Sequence, residues 1–454
     1  MIPEKFKEKM KNLLGDEYPT FIDAIENGTA VRGLRVNLIK TCTRDFLSKA
    51  PFNLTPIPYV DNGFILNEDV PMGPSAYHHA GAVYMQDPGA MATVASIDVE
   101  PDWWVADLCA APGGKSSQVA ERLGEDGFIL SNEYVPRRAK IIVSNFERLG
   151  VKNAIVTSLD TKELADMYSS VFDLVIADAP CSGEGMFRKS EDAILDWSEE
   201  NVNACAIRQT EIINNAAGMV KPGGYLLYST CTYSPEENEG VVTTFLSSHE
   251  DYSLVTLNPE VEAATRPGIV SDNDTLSLTR RFYPHVTRGE GQFVALMKRS
   301  EKTQSKSIIL YKDSTTQLSK QEMAAVNSFF KASLSSQPIG RIAKHRDNIV
   351  IISHNCPTPN RSVFMSGVLL GEIKGTTFIP SHQFFSCYGD LFINKVNLTE
   401  SDTRVAKYLA GEEIDAGHDL RGWCCITYEG IPLGGGKASD GKIKNHYPKG
   451  LRTR

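Results

Sequence analysis

DLCAAPGGKS is the sequence of residues 107–116, a segment that follows an apolar strand and opens a helix. At this place in an open α/β sheet, small residues let backbone N–H groups and the helix N-terminus approach a nucleotide-like ligand. A P-loop would need glycine at position 109, where cysteine stands, and the GxGxxG fingerprint of dinucleotide sites is also absent. The segment therefore predicts a site for a nucleoside-containing ligand of another kind.

Apolar strands alternate with helical periods around this segment, from about residue 100 onward. The pattern is typical of a parallel sheet covered by helices on both faces. We predict strands at 103–108, 127–132, 153–157, 172–177, 224–229, 252–257 and 292–297. We predict helices at 115–123, 136–149, 202–219 and 235–248, with Pro136 and Pro235 in first turns, which tolerate proline. Seven strands, the last two close together, favour an α/β, doubly wound, methyltransferase-type sheet.

Acidic residues stand at the ends of two of these predicted strands. Glu133 ends the second strand, where a carboxylate binds the ribose hydroxyls of a nucleoside held at the first loop. Asp160 falls just after the third strand, within reach of an adenine amine. Each acid alone is equally compatible with a solvated loop carboxylate. Together, at consecutive strand ends after the glycine-rich segment, they favour S-adenosylmethionine as the cofactor.

Cysteines follow two neighbouring central strands. Cys181 lies in DAPCSG after the fourth strand and Cys231 in STCT after the fifth, so both belong on the same rim as the 107–116 segment. Carbon 5 of a pyrimidine is a poor nucleophile, but addition of a thiolate to carbon 6 makes carbon 5 enamine-like and able to take a methyl group from a sulfonium. A second thiol can assist removal of the carbon 5 proton and expulsion of the first. The alternative is that both cysteines only pack in the core.

The composition is that of a globular protein: 454 residues, 41% hydrophobic and 23% charged, enough for about three domains. No apolar run approaches the length of a membrane span, and the first ten residues resemble neither a signal peptide nor a transit peptide. We therefore expect a cytoplasmic protein. The nine cysteines show no CxxC spacing, which disfavours disulfides and a zinc site.

The charge is unevenly distributed along the chain. Residues 1–300 carry a net charge of −15 and residues 301–454 a net charge of +6. This polarity favours an acidic catalytic region joined to a basic module that binds a polyanion, although chance surface composition explains it equally well. Shifts in composition divide the chain into segments 1–75, 76–298, 299–385 and 386–454.

These segments resemble the Nol1/Nop2/Sun family of RNA cytosine-5 methyltransferases, particularly the bacterial 16S ribosomal RNA methyltransferases of the F type. The matching motifs are GLRVN, HHAGAVYMQDP, DLCAAPGGKSS, SNE, DAPCSGEGMFRK, KPGGYLLYSTCTYSPEENE and RFYPHVTRGEGQFVAL. They cover most of residues 30–298, and residues 423–452 resemble the PUA-like RNA-binding module that ends the F type. The resemblance implies a small N-terminal RNA-binding domain, a Rossmann-like methyltransferase domain, an intermediate α+β domain after a linker, and a C-terminal PUA-like domain.

The resemblance also assigns roles to individual residues. It makes Cys231 the nucleophile and Cys181 the thiol that assists product release. It implies that Asp178 hydrogen-bonds N3 of the cytosine ring and that Lys115 helps hold the base. The implied cofactor site comprises Cys109, Ala110, Ala111, Pro112, Gly113, Gly114, Lys115, Glu133, Asp160 and Asp178. Asp160 departs from the family pattern, because Ser158-Leu159-Asp160 stands where a Gly-Asp pair is common.

RNA contacts are expected at Arg35 in GLRVN and at the basic C-terminal end. The C-terminal cations are Lys442, Lys444, Lys449, Arg452 and Arg454. We therefore predict a monomeric, cytoplasmic, S-adenosylmethionine-dependent enzyme that methylates carbon 5 of cytosine in 16S ribosomal RNA. Its expected partner is ribosomal RNA or the small ribosomal subunit, with no membrane and no metal. Two alternatives stay open: the same chemistry on transfer RNA or DNA, and a non-catalytic RNA-binding ribosome assembly factor.

Overall fold

The N-terminal part of the chain forms a small α/β unit. The computed structural model describes residues 1–270 and 274–453 of the protein. In chain order this unit contains α1 (Glu4–Leu14), α2 (Tyr18–Glu26), β1 (Gly33–Val36), α3 (Thr43–Lys49), β2 (Leu54–Ile57), β3 (Val60–Leu66), α4 (Ala76–His79) and β4 (Val83–Met85). The strands form one sheet in the order β2-β3-β1-β4. This sheet runs to Met85, so the unit extends past the boundary predicted at residue 75.

A large mixed sheet follows and forms the centre of the molecule. Its part of the chain contains α5 (Pro88–Ala95), β5 (Trp104–Asp107), α6 (Gly114–Ala120), β6 (Phe128–Asn132), α7 (Pro136–Leu149), β7 (Ala154–Thr157), α8 (Thr161–Met167), β8 (Tyr168–Ser169), β9 (Phe172–Asp178), α9 (Glu191–Leu195), α10 (Glu199–Ala217), β10 (Val220–Thr230), α11 (Glu239–Ser248), β11 (Tyr252–Leu254), α12 (Pro259–Ala263), β12 (Arg266–Pro267), β13 (Arg280–Phe282) and β14 (Gln292–Arg299).

Five strands of this sheet are parallel, in the order β10-β9-β5-β6-β7, and β14 pairs with β10 in the antiparallel direction. All seven strands predicted from the sequence are present. Side chains alternate between two apolar clusters, with Val105 in one and its neighbour Ala106 in the other, because both faces of the sheet are covered. The predicted doubly wound α/β fold is therefore confirmed. Strands β12 and β13 extend the sheet beyond β14, which the sequence reasoning did not predict.

Helix α7 has the bounds predicted from the sequence, whereas α11 begins at Glu239 instead of Pro235. Residues 235–238 form a turn in which the N–H groups of Asn238 and Gly240 donate to the Pro235 carbonyl at 3.2 and 2.9 Å. The side chains of Glu237 and Asn238 make buried hydrogen bonds with neighbouring loops from this turn. The predicted start is therefore wrong, because Pro235 opens a turn that the helix follows.

The C-terminal part of the chain adds two large sheets and one strand of a third, two-stranded sheet. Its elements are β15 (Ile308–Ile309), α13 (Lys320–Ser333), β16 (Arg341–His345), β17 (Asn348–Ile352), β18 (Val363–Ser366), β19 (Val368–Lys374), β20 (Thr377–Pro380), α14 (His382–Tyr388), β21 (Lys395–Leu398), α15 (Arg404–Ala410), β22 (Ile414–Asp415), β23 (Gly422–Tyr428), β24 (Ile431–Ser439) and β25 (Lys442–Asn445). The two sheets have the orders β16-β17-β19-β20 and β21-β23-β24-β25-β22. Strand β18 instead pairs with β7 and completes one edge of the central sheet.

The first and last parts of the chain pack against each other in one apolar cluster. The rings of Tyr77 and Tyr428 meet edge to face at 5.0 Å, and Nδ1 of His79 lies 2.7 Å from the Tyr447 hydroxyl. Burial lowers the pKa of Lys40 to about 8, and its ammonium donates to the Ser386 hydroxyl at 2.9 Å. The N-terminal unit and the C-terminal sheet are therefore held together by apolar and polar contacts. Within residues 1–270 and 274–453, no helix is long and apolar enough to cross a membrane.

Candidate active site

A cleft of about 1010 Å³ opens where the parallel strands β5, β6, β7 and β9 end. Parallel strands present their carboxyl ends at one edge of a sheet, so loops from distant parts of the sequence meet there. Many of the residues expected in the site line this cleft together: Cys109, Ala111, Glu133, Asp160, Asp178, Cys181 and Cys231. Ala110, Pro112, Gly113 and Gly114 do not line it, and they build the turn behind it.

The 107–116 loop turns sharply from β5 into α6. Gly113 has a φ of 105°, a left-handed conformation that glycine adopts without strain, and it precedes the first residue of α6. Burial raises the pKa of the Asp107 carboxyl to about 7, and the hydroxyl of Ser116 donates to this group at 2.6 Å. The loop is thus fixed at both ends, and its Cys109 and Ala111 face the cleft.

The two acids predicted at strand ends lie in the same cleft. Glu133 is 4% exposed, and its carboxylate accepts a hydrogen bond from the Val135 N–H at 3.0 Å. Arg138 pairs with it at 3.2 Å. Asp160 caps helix α8 by accepting from the Lys162 N–H at 2.8 Å, a local structural role that the sequence reasoning did not assign to it.

Cys181 and Cys231 are brought into contact by the pairing of β9 with β10. Asp178 and Ser229 are register partners in this parallel pair, so the loops that follow leave the sheet side by side. The two sulfur atoms lie 3.1 Å apart, and the backbone N–H of Cys231 donates to Sγ of Cys181 at 3.3 Å. The hydrogen bond to Cys231, with burial, raises the pKa of the Cys181 thiol well above its usual range. Cys181 is therefore a protonated thiol beside the Cys231 sulfur.

Asp178 is held by three donors at the base of the cleft. The Ser229 hydroxyl donates to Oδ1 at 2.6 Å, with the Gln292 amide at 3.5 Å, and the Lys115 ammonium donates to Oδ2 at 2.8 Å. Burial alone lowers the pKa of Lys115, but the Asp178 charge and hydrogen bond outweigh it, so the pKa is raised. Lys115 is thus permanently charged and holds the Asp178 carboxylate in place. Asp178 lies three residues before Cys181, and its register partner Ser229 lies two residues before Cys231.

Sequence reasoning missed several residues that build this site. Ser229 and Gln292 orient Asp178, and two buried carboxylates, Glu184 and Glu237, bond to the cysteine loops. All four lie inside the quoted motifs. The signal that could have found the carboxylates is their spacing, since Glu184 comes three residues after Cys181 and Glu237 six residues after Cys231.

The prediction that Arg35 contacts RNA is wrong. Its side chain is fully buried and pairs with the buried Glu121 carboxylate at 2.5 Å. The same guanidinium donates to the Ser117 hydroxyl at 2.7 Å and to the Gly114 carbonyl at 3.2 Å. Arg35 therefore ties β1 of the N-terminal unit to helix α6, and it has no free surface for a nucleic acid.

The C-terminal cations have different surroundings. The side chains of Lys442 and Lys444 are exposed on β25, on either side of the buried Ile443, and Lys449 is exposed as well. Arg452 is half-buried and donates to the Tyr447 carbonyl at 3.2 Å. Arg454 lies outside the described residues. In residues 1–270 and 274–453, no group of three or more His, Cys, Asp or Glu side chains is arranged to hold a metal ion.

Comparison with known families gives three matches along the chain. The family described as "16S rRNA methyltransferase RsmB/F" matches residues 94–298. The description "N-terminal domain of 16S rRNA methyltransferase RsmF" matches residues 2–88, and "Methyltransferase RsmF PUA domain" matches residues 395–453. The PUA-like module predicted at the C-terminus is therefore confirmed.

Comparison with curated and solved proteins agrees with these matches. The chain is 31% identical to ribosomal RNA small subunit methyltransferase F of Vibrio vulnificus, over 99% of this chain and 97% of that one. It is also 31% identical to the enzyme of the same name from Aeromonas salmonicida, over 92% and 90% of the two chains. A methyltransferase homolog protein from Pyrococcus horikoshii has a similar structure, with a TM-score of 0.57 and 28% identity over 65% of this chain and 95% of that one.

Proposed function

Because the chain belongs to the RsmB/F family of 16S rRNA methyltransferases, we propose that it transfers a methyl group from S-adenosylmethionine to carbon 5 of a cytosine in small-subunit ribosomal RNA. The observation that carries this proposal is the pair of thiols, with sulfur atoms 3.1 Å apart, in the same cleft as Glu133 and Asp160. One thiol supplies the covalent bond that activates the base, and the other supplies or receives a proton.

The covalent steps divide between the two cysteines. The Cys231 thiolate would add to carbon 6 of the cytosine and make carbon 5 nucleophilic. Bound S-adenosylmethionine would supply, from its sulfonium, the methyl group that carbon 5 takes. The carbon 5 proton would pass to water in the open cleft, and elimination of the Cys231 sulfur would then restore the aromatic ring. Cys181, held as a protonated thiol beside Cys231, assists this last elimination by giving its proton to the departing sulfur.

Asp178 and Lys115 would hold the ring during these steps. Addition at carbon 6 places negative charge on the ring, N3 takes up a proton from solvent, and the Asp178 carboxylate accepts the hydrogen bond of that N3–H group. Lys115 keeps the Asp178 carboxylate in place through its 2.8 Å hydrogen bond. The chemistry of the donor set in the cleft fits the cofactor as well, with the Glu133 carboxylate for the ribose and Asp160 beside the adenine.

Replacing Glu133 with alanine is expected to weaken S-adenosylmethionine binding by about 1.5 to 3 kcal/mol, the range for a hydrogen bond to a charged group. The matched control is Glu125→Ala, which removes an exposed carboxylate outside the cleft. Isothermal titration calorimetry measures both affinities. An unchanged affinity in Glu133→Ala would remove Glu133 from the cofactor site.

The target cytosine must leave its stack before a thiol can reach carbon 6, so the parts of the chain around the cleft must grip the surrounding RNA. We assign phosphate contacts to Lys442, Lys444 and Lys449. Changing all three to glutamine is expected to reduce the salt dependence of RNA binding by about 2 to 3 in its logarithmic slope, since each phosphate contact contributes nearly one. Substitutions are preferable to truncation, because removing β25 would also delete the buried Ile443 from the apolar cluster that joins the first and last parts of the chain.

A matched variant separates contact from net charge. Lys312, Lys320 and Lys331 are exposed cations outside β25, and changing them to glutamine alters the net charge equally. Filter binding of small-subunit RNA across a salt series measures both triple variants, and cofactor titration checks that each remains folded. Equal slopes in the two variants would show that the C-terminal lysines are merely solvated charge.

Substrate preference tests the proposal as a whole. Purified enzyme with S-adenosylmethionine is expected to produce 5-methylcytosine in 16S ribosomal RNA or in assembled small subunits, and not in transfer RNA or DNA, as read by bisulfite sequencing. Methylation of transfer RNA alone would favour the first alternative. RNA binding without methylation of any of these substrates would favour the assembly factor. We also propose that the enzyme acts as a monomer, in the cytoplasm where small subunits are assembled.

A further inference from the structure

Glu184 is a fully buried carboxylate on the loop that carries Cys181, yet its hydrogen bonds go to the other cysteine loop. Oε2 accepts from the Thr232 hydroxyl at 2.8 Å and from the Tyr233 N–H at 2.9 Å. Oε1 accepts from the Ser234 hydroxyl at 2.6 Å and from the Trp197 indole N–H at 2.8 Å. Three of these four donors directly follow Cys231. Among the described residues, none of the ion pairs includes Glu184.

Glu237 makes the reverse connection. It lies on the loop that carries Cys231, it is fully buried, and its carboxylate accepts hydrogen bonds from both the N–H and the hydroxyl of Ser182, the residue next to Cys181. The N–H contact measures 2.9 Å, and the Gln209 amide donates to the same oxygen at 2.8 Å. Each cysteine loop therefore carries a carboxylate that binds the other loop.

The two loops also touch directly. The Gly185 N–H donates to the Cys231 carbonyl at 2.9 Å. A Cβ atom at position 185 would lie 2.6 Å from the Gly291 carbonyl oxygen and 2.9 Å from the Cys231 carbonyl oxygen, so only glycine fits this crossing. The hydrogen bonds of Glu184 and Glu237 and the contact of Gly185 with the Cys231 carbonyl leave little room for either loop to move. These contacts thus set the distance between the two sulfur atoms.

We propose that Glu184 and Glu237 are positioning residues that set the separation of the Cys181 and Cys231 thiols, a role that rests on the proposed function for its catalytic meaning. Proton transfer between a departing sulfur and a thiol requires the two atoms within hydrogen-bond reach, and a misplacement of about 1 Å can cost 100-fold in rate. We call these two cross-loop carboxylates, Glu184 and Glu237, the clamp. The clamp holds the distance between the two sulfur atoms while the cytosine ring enters and leaves.

The hydrogen bonds explain why the clamp needs carboxylates. Each oxygen of Glu184 accepts from one group that can only donate, the Trp197 indole N–H on Oε1 and the Tyr233 backbone N–H on Oε2. An amide in place of the carboxylate would direct its NH₂ group at one of these N–H groups in either orientation. Glu184→Gln therefore conflicts with the arrangement, although glutamine has almost the same shape.

Dibromobimane tests the separation without any RNA, because this reagent becomes fluorescent only after both of its arms have alkylated thiols. Both cysteines face the cleft and are open to it. We expect wild-type protein to form the bridged product between Cys181 and Cys231, and Glu184→Gln to form it about tenfold more slowly, the effect of losing one buried hydrogen bond to a charged group. Monobromobimane, which needs a single thiol, is expected to react within about twofold of the wild-type rate.

Rescue separates positioning from a general loss of stability. Trp197→Phe removes the N–H that meets Oε1, so the amide NH₂ of Glu184→Gln can take that side and donate to the Ser234 hydroxyl. The double variant Glu184→Gln/Trp197→Phe is therefore expected to recover bridging to within about threefold of wild type, a non-additive result. Glu121→Gln is the control, because the Glu121 carboxylate bonds to Arg35 and Asn62, which lie outside both cysteine loops, so bridging should be unchanged.

Kinetics extends the test to catalysis. Glu184→Gln and Glu237→Ala are expected to lower kcat about 100-fold while KM for RNA stays within about threefold, because the positioned groups act after binding. If bridging is unchanged in both variants while their melting temperatures fall, the carboxylates are merely structural and the proposal is overturned. If bridging slows as expected but wild-type protein methylates no RNA, the clamp stands and the proposed function fails.

Discussion

Cys231→Ala is expected to abolish both methyl transfer and any covalent bond between protein and RNA. Without the Cys231 thiolate, nothing adds to carbon 6, and carbon 5 stays too weak a nucleophile to attack the sulfonium. Cys181 does not substitute for it, because burial still raises the pKa of its thiol when the neighbouring sulfur is removed. The reaction is followed by methyl incorporation into small-subunit RNA, and the bond by a slow-migrating band in a denaturing gel.

Cys181→Ala is expected to give the opposite result in the gel. Cys231 can still attack and the methyl group can still be transferred, but the departing sulfur lacks its proton donor at 3.1 Å. Enzyme should therefore accumulate as an adduct on methylated RNA. Cys205→Ala is the matched control, since Cys205 is a buried thiol of α10 outside the pair, and this variant should behave like wild type.

Three outcomes would contradict this division of roles. An adduct in Cys231→Ala and none in Cys181→Ala would make Cys181 the nucleophile, the arrangement expected of DNA-type enzymes. Adducts in neither variant, with activity intact in both, would exclude covalent catalysis. Adduct accumulation in Cys205→Ala as well would show that trapping reports a general disturbance of the fold.

The sequence was sufficient to predict which loops form the candidate site, because the position of a loop on the sheet determines which other loops it lies beside. A loop after a parallel strand must lie at the carboxyl edge, so the order of strands and the positions of Cys181 and Cys231 already bring both thiols to one rim. Alternation of side chains along a strand likewise places the adjacent Cys424 and Cys425 on opposite faces. Both are fully buried, on opposite faces of β23, in different apolar clusters.

Partners that lie far apart in the sequence could not be predicted in this way. Glu184 and Glu237 bind residues roughly fifty positions away on another loop, and no periodicity encodes such a pairing. Strand β18 joins the central sheet from the C-terminal part of the chain, which only the folded structure reveals. Asp160 illustrates a second limit of prediction from the sequence. One carboxylate can cap a helix and line a cleft at the same time, and the sequence reasoning assigned only the second role.

Arg35 shows most clearly how burial reverses the interpretation of a charge. In the sequence, a cation in the short strand β1 is equally compatible with RNA contact and with a surface ion pair. In the structure the guanidinium is fully buried, bonded to Glu121, Ser117 and the Gln86 amide oxygen, the last at 3.1 Å. We therefore expect substitutions here to change stability, with RNA affinity affected only through folding.

Arg35→Met is expected to lower the free energy of unfolding by about 3 to 5 kcal/mol, the cost of leaving one member of a buried ion pair without its partner. The defect should also depend on pH. Burial raises the pKa of Glu121 in the folded protein to about 7, and Arg35 opposes this rise, so its removal raises the pKa further. When the pKa of a carboxyl is higher in the folded than in the unfolded protein, the free energy of unfolding falls as pH rises from the unfolded pKa to the folded pKa. In the variant the folded pKa of Glu121 is higher, so this fall continues to a higher pH.

The deficit of Arg35→Met relative to wild type should therefore be larger above pH 7 than below it, as measured by denaturant unfolding at several pH values. The double variant Arg35→Met/Glu121→Leu tests the cause, because apolar residues of similar volume remove the orphaned charge, and such replacements are often neutral or stabilising. We expect it to recover most of the lost stability and to lose the added pH dependence. A double variant as unstable as Arg35→Met would mean that the contacts of Arg35 with Ser117 and the Gly114 carbonyl, and not its pairing with Glu121, hold the N-terminal unit against helix α6.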